Sequence, residues 1–107
     1  MPKITHPVDL AWTSEVEAAI ETFGNRGRNE IIRYLEGSGP VPRGDIVEAV
    51  SASEASVAEH LIALEKTGAV LVDIVQGRRH GRSPRYSVDD DRITVLLEAH
   101  QDYLRNR

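Results

Sequence analysis

The chain has 107 residues, enough for one domain with a modest core and small enough to gain from pairing with a second copy. It is acidic, at formal net charge −4, with 40% hydrophobic and 28% charged residues, a balance that suits a folded globular protein and excludes a disordered one. It has no cysteine, which excludes disulfides, zinc fingers, iron–sulfur clusters and thiol nucleophiles.

Residues 1–13 contain Pro2 and Pro7 and read as an extended arm, with Val8, Leu10 and Trp12 alternating as if packed on a surface. Thr13 or Ser14 caps a first helix whose opening turn holds Glu15 and Glu17, both favourable beside the positive end of the helix dipole. Val16, Ala19, Ile20 and Phe23 form its apolar stripe, and Gly24-Asn25 ends it. A second helix is expected from about Arg28 to Glu36, burying Ile31, Ile32 and Leu35 before Gly37-Ser38-Gly39-Pro40 stops it. Val41-Pro42 can add only a very short edge strand, because proline has no N–H for an inner ladder.

A third helix covers Arg43 to Val50, with Ile46, Val47 and Val50 inward, and Ser51-Ala52-Ser53 makes a tight turn. The next helix runs to about Thr67 on Val57, Leu61 and Leu64, with Gly68 as its stop. Ser51 with Glu54 matches a capping box, but Ser53 is the preferred cap because it leaves the turn a workable length. Residues 69–75 are rich in β-branched side chains and read as a strand, with residues 85–88 as the hairpin partner. Asp89, Asp90 and Asp91 open a last helix, 90–105, carrying Ile93, Leu96, Leu97, His100, Tyr103 and Leu104 at helical spacing.

Between the two strands, residues 76–85 hold Arg78, Arg79, Arg82 and Arg85, and Asp73 is the sole acid over 70–88. An acidic protein that gathers cations on one hairpin is equipped to touch phosphates; the plainer alternative is a solvated arginine-rich loop. The order helix, helix, helix, turn, helix, hairpin, helix describes a mainly α protein with a small β-hairpin (α+β). It is that of a single winged helix-turn-helix domain over 1–107, with the helix-turn-helix at 43–67, the wing at 69–88 and terminal helices for dimerisation.

Three stretches carry a family resemblance. Arg28-Asn-Glu-Ile31-Ile32-Arg-Tyr-Leu35 is one. Asp45 to Val50 followed by Ser53 to Val70, containing His60-Leu61-x-x-Leu64-x-x-x-Gly68, is the second and the most specific. Gly77 to Tyr86 is the third. Over residues 24–88 the chain resembles the ArsR-like branch of winged-helix transcriptional regulators. The resemblance implies a homodimer bound to double-stranded DNA, with helix 53–67 in the major groove and the wing on phosphates or in the minor groove. Ser53, Glu54, Ser56 and Glu59 would then meet base edges, with Ala55 small enough to approach a thymine methyl. Glu59 stands where the family often carries a basic or neutral residue. A glutamate can accept from a cytosine amino group, although Glu54 equally suits the helix dipole and Glu59 equally suits solvent.

Arg78, Arg79 and Arg82 are the expected phosphate contacts. Arg85 either joins them or pairs with Asp73 across the strands, and His80 either donates to a phosphate or stands idle. His60 is a helix histidine near the core that could also reach the DNA backbone. The expected dimer interface draws on Ile93, Leu96, Leu97, His100, Tyr103 and Leu104, joined by Ile20, Phe23 and Trp12; the alternative is that both terminal helices pack within one subunit.

Competing chemistry is poorly supplied. A metal site on the last helix would need several Asp and His ligands, and only His100 with nearby Asp102 lies there, so no metal or cofactor is expected. Gly77-x-x-x-Gly81-x-Ser83 lacks the Gly-Lys-Ser/Thr ending of a phosphate loop and precedes no helix. No nucleophile, base and orienter can be assembled, so the chain reads as a non-enzyme. The rival readings are a winged helix used for protein contact and, behind it, a metal-responsive repressor. No apolar run nears the ~20 residues of a spanning helix, and Met1 to Pro7 has no apolar signal core, so a cytoplasmic location without a membrane partner is expected.

Overall fold

Five helices and three short strands follow one another across the residues that the computed structural model describes, 9–74 and 83–107. Four of the helices begin where a short polar side chain takes a backbone N–H that the helix itself leaves unpaired. Thr13 Oγ1 accepts from Val16 N at 3.2 Å and starts α1 (Ser14–Phe23). Asn25 Oδ1 accepts from Arg28 N at 3.2 Å and starts α2 (Arg26–Glu36) two residues before the sequence-based boundary. Gly27 is accommodated in the first turn of α2.

The strand β1 (Val41–Pro42) leads directly into α3 (Arg43–Ala49). Ser53 Oγ accepts from Ser56 N at 3.2 Å and starts α4 (Glu54–Thr67), which settles the cap in favour of Ser53 over Ser51. Gly68 ends α4 at φ +88°, a left-handed conformation that any Cβ would strain. The strands β2 (Val70–Val72) and β3 (Arg85–Val88) pair antiparallel, with Val70 opposite Val88 and Val72 opposite Tyr86. β1 lies on the far side of β3, so the sheet order is β1-β3-β2 and Pro42 sits on an edge strand as expected. Of the described residues 69–74 only Val70–Val72 form β2, and at Asp73 the carboxylate, not a carbonyl, takes the Arg85 N–H. Asp89 Oδ1 accepts from Arg92 N at 3.1 Å and starts α5 (Asp90–Leu104).

The core lies where α2, α3 and α4 meet the inner face of the sheet. It contains Ile31, Leu35, Ile46, Val57, Leu61, Leu64, Val70, Tyr86 and Ile93. Each such aliphatic side chain contributes roughly 1.5–3 kcal/mol by leaving water.

Two expectations are corrected. The arm is not extended at residues 9–12: Asp9 folds it into a turn, its carbonyl accepting from Trp12 N at 2.9 Å and its Oδ1 from Ala11 N at 3.0 Å. Residues 1–8, with Pro2, Pro7 and Val8, lie outside the described residues. Ile93 and Leu96 are not available to a dimer interface, at 8% and 0% exposure. α5 packs along α1 within the subunit, and these two positions face inward.

Candidate nucleic-acid interface

The outward face of α4 follows from the burial of the inward one. Val57, Leu61 and Leu64 occupy the core, which leaves Glu54, Ala55, Glu59, Ile62 and Lys66 exposed, with Ser53 exposed at the cap. Ala55, Glu59 and Ile62 lie at i, i+4 and i+7 and so share one stripe. Ile62 is 63% exposed and was missed in the sequence reading, although its spacing from Ala55 and Glu59 marks it as outward. The Ser53 hydroxyl is already used: besides capping α4 it donates to Ser56 Oγ at 3.1 Å, which leaves the half-buried Ser56 hydroxyl with its own hydrogen to offer.

The turn between α3 and α4 is held from α2. Glu30 Oε1 accepts from both the backbone N–H and the hydroxyl of Ser51 at 3.0 Å, while Arg26 Nε donates to Glu30 Oε2 at 2.9 Å. The Ser51 N–H above all, then Arg26 and the Ser51 hydroxyl, hold the Glu30 carboxyl below its usual pKa. No sequence spacing announces this clamp, since its partners are 21 residues apart.

His60 is half-buried, near the core as one of its two alternatives expected. Its ring turns toward α2, where Nδ1 accepts from Arg28 Nε at 3.2 Å and Nε2 packs against Gly27. Burial, and then the Arg28 charge, lower its pKa, with Glu59 opposing. Arg28 is a second residue that sequence reasoning missed in this role.

At the base of the wing, Arg85 is exposed and paired with Asp73, as the cross-strand alternative expected. Its N–H donates to Asp73 Oδ1 at 2.9 Å and its Nε lies 3.5 Å from Oδ2. The Arg85 N–H is the largest cause holding the Asp73 carboxyl below its usual pKa. Arg43 at the start of α3, Glu54 on α4, and Ser83 and Pro84 before β3 line one surface depression, so the first turn of α4 and the wing base form a continuous surface. Arg43 is an exposed cation there that the sequence reading passed over. Arg78, Arg79, His80 and Arg82 lie outside the described residues.

On the terminal helices, Leu97 and Leu104 of α5 are 51% and 68% exposed, and Ile20 of α1 is 37% exposed. His100 is half-buried, and Phe23 is packed against the core. Trp12 and Tyr103 first contact each other, edge to face at 5.1 Å between centroids. Trp12 Nε1 donates to Glu17 at 2.7 Å and the Tyr103 hydroxyl to Asp9 at 2.8 Å. The nearby Asp9 carboxylate raises the Tyr103 pKa. Leu10 is 88% exposed.

Among the described residues no three His, Cys, Asp or Glu side chains gather as metal ligands, and no helix is long and apolar enough to cross a membrane.

No family model matches the chain. It is 29% identical over 101 residues to the HTH-type transcriptional regulator NmtR of Mycobacterium tuberculosis, covering 92% of this chain and 79% of that protein. An ArsR-like transcriptional regulator from Rhodococcus sp. RHA1 has the same fold at TM-score 0.67 and 20% identity, over 87% of this chain and 82% of that one. The solution structure of apo-NmtR matches at TM-score 0.56 and 24% identity, over 100% of this chain and 85% of its own. The order of elements, the β1-β3-β2 sheet and these likenesses agree: the chain has the winged helix-turn-helix fold of ArsR-like regulators.

Proposed function

We propose that the chain is a double-stranded DNA-binding transcriptional regulator, not an enzyme, that acts in the cytoplasm as a homodimer of single-domain subunits. The observation that carries this reading is the continuous surface made by the first turn of α4, Arg43 and the wing base, on a chain whose wing sequence holds four arginines. On this reading α4 enters the major groove, with Ser53, Glu54, Ser56 and Glu59 near base edges and Ala55 and Ile62 near thymine methyls. Arg78, Arg79, Arg82 and His80 contact phosphates or the minor groove, with Arg43 and Arg85 beside them. Similarity to proteins named as transcriptional regulators supports it.

The homodimer reading rests on Leu10, Ile20, Leu97 and Leu104, a set of exposed apolar side chains on the terminal helices and arm that a second copy would cover. A two-fold dimer would place its α4 helices about one DNA turn apart (~34–36 Å) and read an inverted repeat. Enrichment of duplexes from a randomised pool tests this: an inverted repeat with that spacing is the expected product.

A second reading, a winged helix that docks a protein, is favoured by Glu54, Glu59 and the 63%-exposed Ile62 on the outward face of α4. A pool that yields no enriched duplex with folded dimeric protein would select it.

A further inference from the structure

Arg28, in the first turn of α2, ties together two other helices. Its Nη1 donates to the Glu21 carbonyl of α1 at 2.6 Å, and its Nε donates to His60 Nδ1 of α4 at 3.2 Å. Because Nδ1 accepts, the imidazole is neutral there, with its hydrogen on Nε2. That second nitrogen is seated over Gly27: a methyl group at Gly27 would fall 2.8 Å from Nε2 and 3.0 Å from Cδ2. The ring is thus held between a glycine that leaves it room and an arginine that fixes its rotation.

The position of this link on α4 matters. His60 lies in the second turn, beside the outward stripe of Ala55, Glu59 and Ile62. At 3.6 residues per turn each residue occupies about 100° of the helix circumference, so a modest roll of α4 changes which side chains face outward. Apolar packing of Val57, Leu61 and Leu64 is nondirectional and permits small rolls, whereas a hydrogen bond to a ring nitrogen has a direction.

We propose that Arg28 is a positioning residue for DNA reading: by bridging the Glu21 carbonyl and His60 it sets the roll of α4 against α1 while touching no base or phosphate. The consequence for DNA rests on the reading under "Proposed function"; the bridge itself does not. The bridge requires a neutral imidazole. Burial and the Arg28 charge from α2 favour that state, Glu59 on α4 opposes it, and α1 contributes the uncharged Glu21 carbonyl behind Arg28. Protonation would set two cations against each other and remove the acceptor.

The test compares wild type, Arg28→Met and His60→Asn as full-length chains. His60→Asn offers an amide oxygen near the position of Nδ1, so it still accepts from Arg28 but does not titrate. Backbone amide shifts are followed from about pH 7.5 to about pH 5, alongside affinity for a duplex enriched from a random pool on wild-type protein. In wild type the α4 amides shift together as His60 titrates, and affinity falls about 10-fold. His60→Asn binds as wild type at the upper pH and loses the His60-linked part of the pH profile. Arg28→Met, with unchanged circular dichroism, shifts amides along the whole of α4 and binds about 10-fold more weakly.

An Arg28→Met protein with shifts confined to neighbours of residue 28 and unchanged affinity overturns the proposal, as does a His60→Asn profile that still titrates like wild type. If Arg28→Met unfolds, the His60→Asn profile decides. If wild type enriches no duplex, the DNA-binding reading fails separately. The extent of the amide shifts along α4 then decides whether Arg28 positions the helix.

Discussion

Thr22 of α1 donates its hydroxyl to the hydroxyl of Thr67, in the last turn of α4, at 2.7 Å; the two residues are 0% and 7% exposed and 45 positions apart in sequence. Thr67 passes its own hydrogen to the Leu64 carbonyl, and its backbone carbonyl accepts from Arg92 Nε of α5 at 2.9 Å. The C-terminal end of α4 is therefore fixed to both terminal helices by polar groups. Arg92 also reaches Glu15 of α1, its Nη2 at 3.0 Å from Oε1, which closes the triangle.

That pairing predicts a non-additive mutant cycle. Thr67→Val strands the buried Thr22 hydroxyl without an acceptor and costs about 1–3 kcal/mol. Thr22→Val/Thr67→Val removes both groups and restores most of that loss, because no buried donor is left unpaired. Urea unfolding of the four proteins measures the coupling.

Glu30 predicts an acid-sensitive helix-turn-helix. Its carboxyl titrates below the usual value of 4.5 in the folded chain because the charged form accepts from Ser51 and Arg26. A lowered folded pKa adds stability that is fully present above 4.5 and is lost as the pH falls through the folded value. Glu30→Gln, which does not titrate, should flatten the fall in stability below about pH 4.5. An unchanged acid limb in thermal melts would show that the clamp contributes nothing.

Leu97 and Leu104 should behave differently from their neighbour Leu96. Leu97→Glu/Leu104→Glu keeps the fold and yields monomers by analytical ultracentrifugation, since both side chains are exposed in the isolated subunit. Leu96→Ala, at a fully buried position, instead destabilises the subunit by about 2–5 kcal/mol.

The outward stripe of α4 predicts which changes alter sequence preference. Glu59→Gln should weaken selection at one cytosine position, and Ile62→Ser should weaken selection at a thymine, each by about 1–3 kcal/mol of discrimination. Both keep the fold, because neither side chain is buried. Selection repeated with each variant reads this directly, and unchanged preferences in both would remove α4 from base reading.

Local chemistry explains what was legible beforehand. Ser53 and Gly68 delimit α4 because capping and a left-handed stop depend on residues within a few positions, and Asp73 with Arg85 is a near neighbour across a hairpin. The core stripes of α2 and α4 follow from helical periodicity alone. Other pairs depend on how the helices come together. Arg28 with His60, Glu30 with Ser51 and Thr22 with Thr67 span 32, 21 and 45 residues, and no period or motif connects them. His60 is instructive, since its place on α4 does not disclose that its ring meets Arg28 of α2. Ile93 and Leu96 were read as interface for a related reason: an apolar stripe does not disclose whether it meets its own subunit or a second copy.

Whether this acidic protein binds DNA through its arginine-bearing wing is read by fluorescence anisotropy of a mixed-sequence duplex. Wild type and Arg78→Ala/Arg79→Ala/Arg82→Ala are titrated at two salt concentrations. Expected are wild-type binding that weakens as salt rises and a triple variant that binds weakly, with a salt slope reduced by roughly three phosphate contacts. Equal binding by both proteins, or no binding by folded dimeric wild type at low salt, would contradict this expectation.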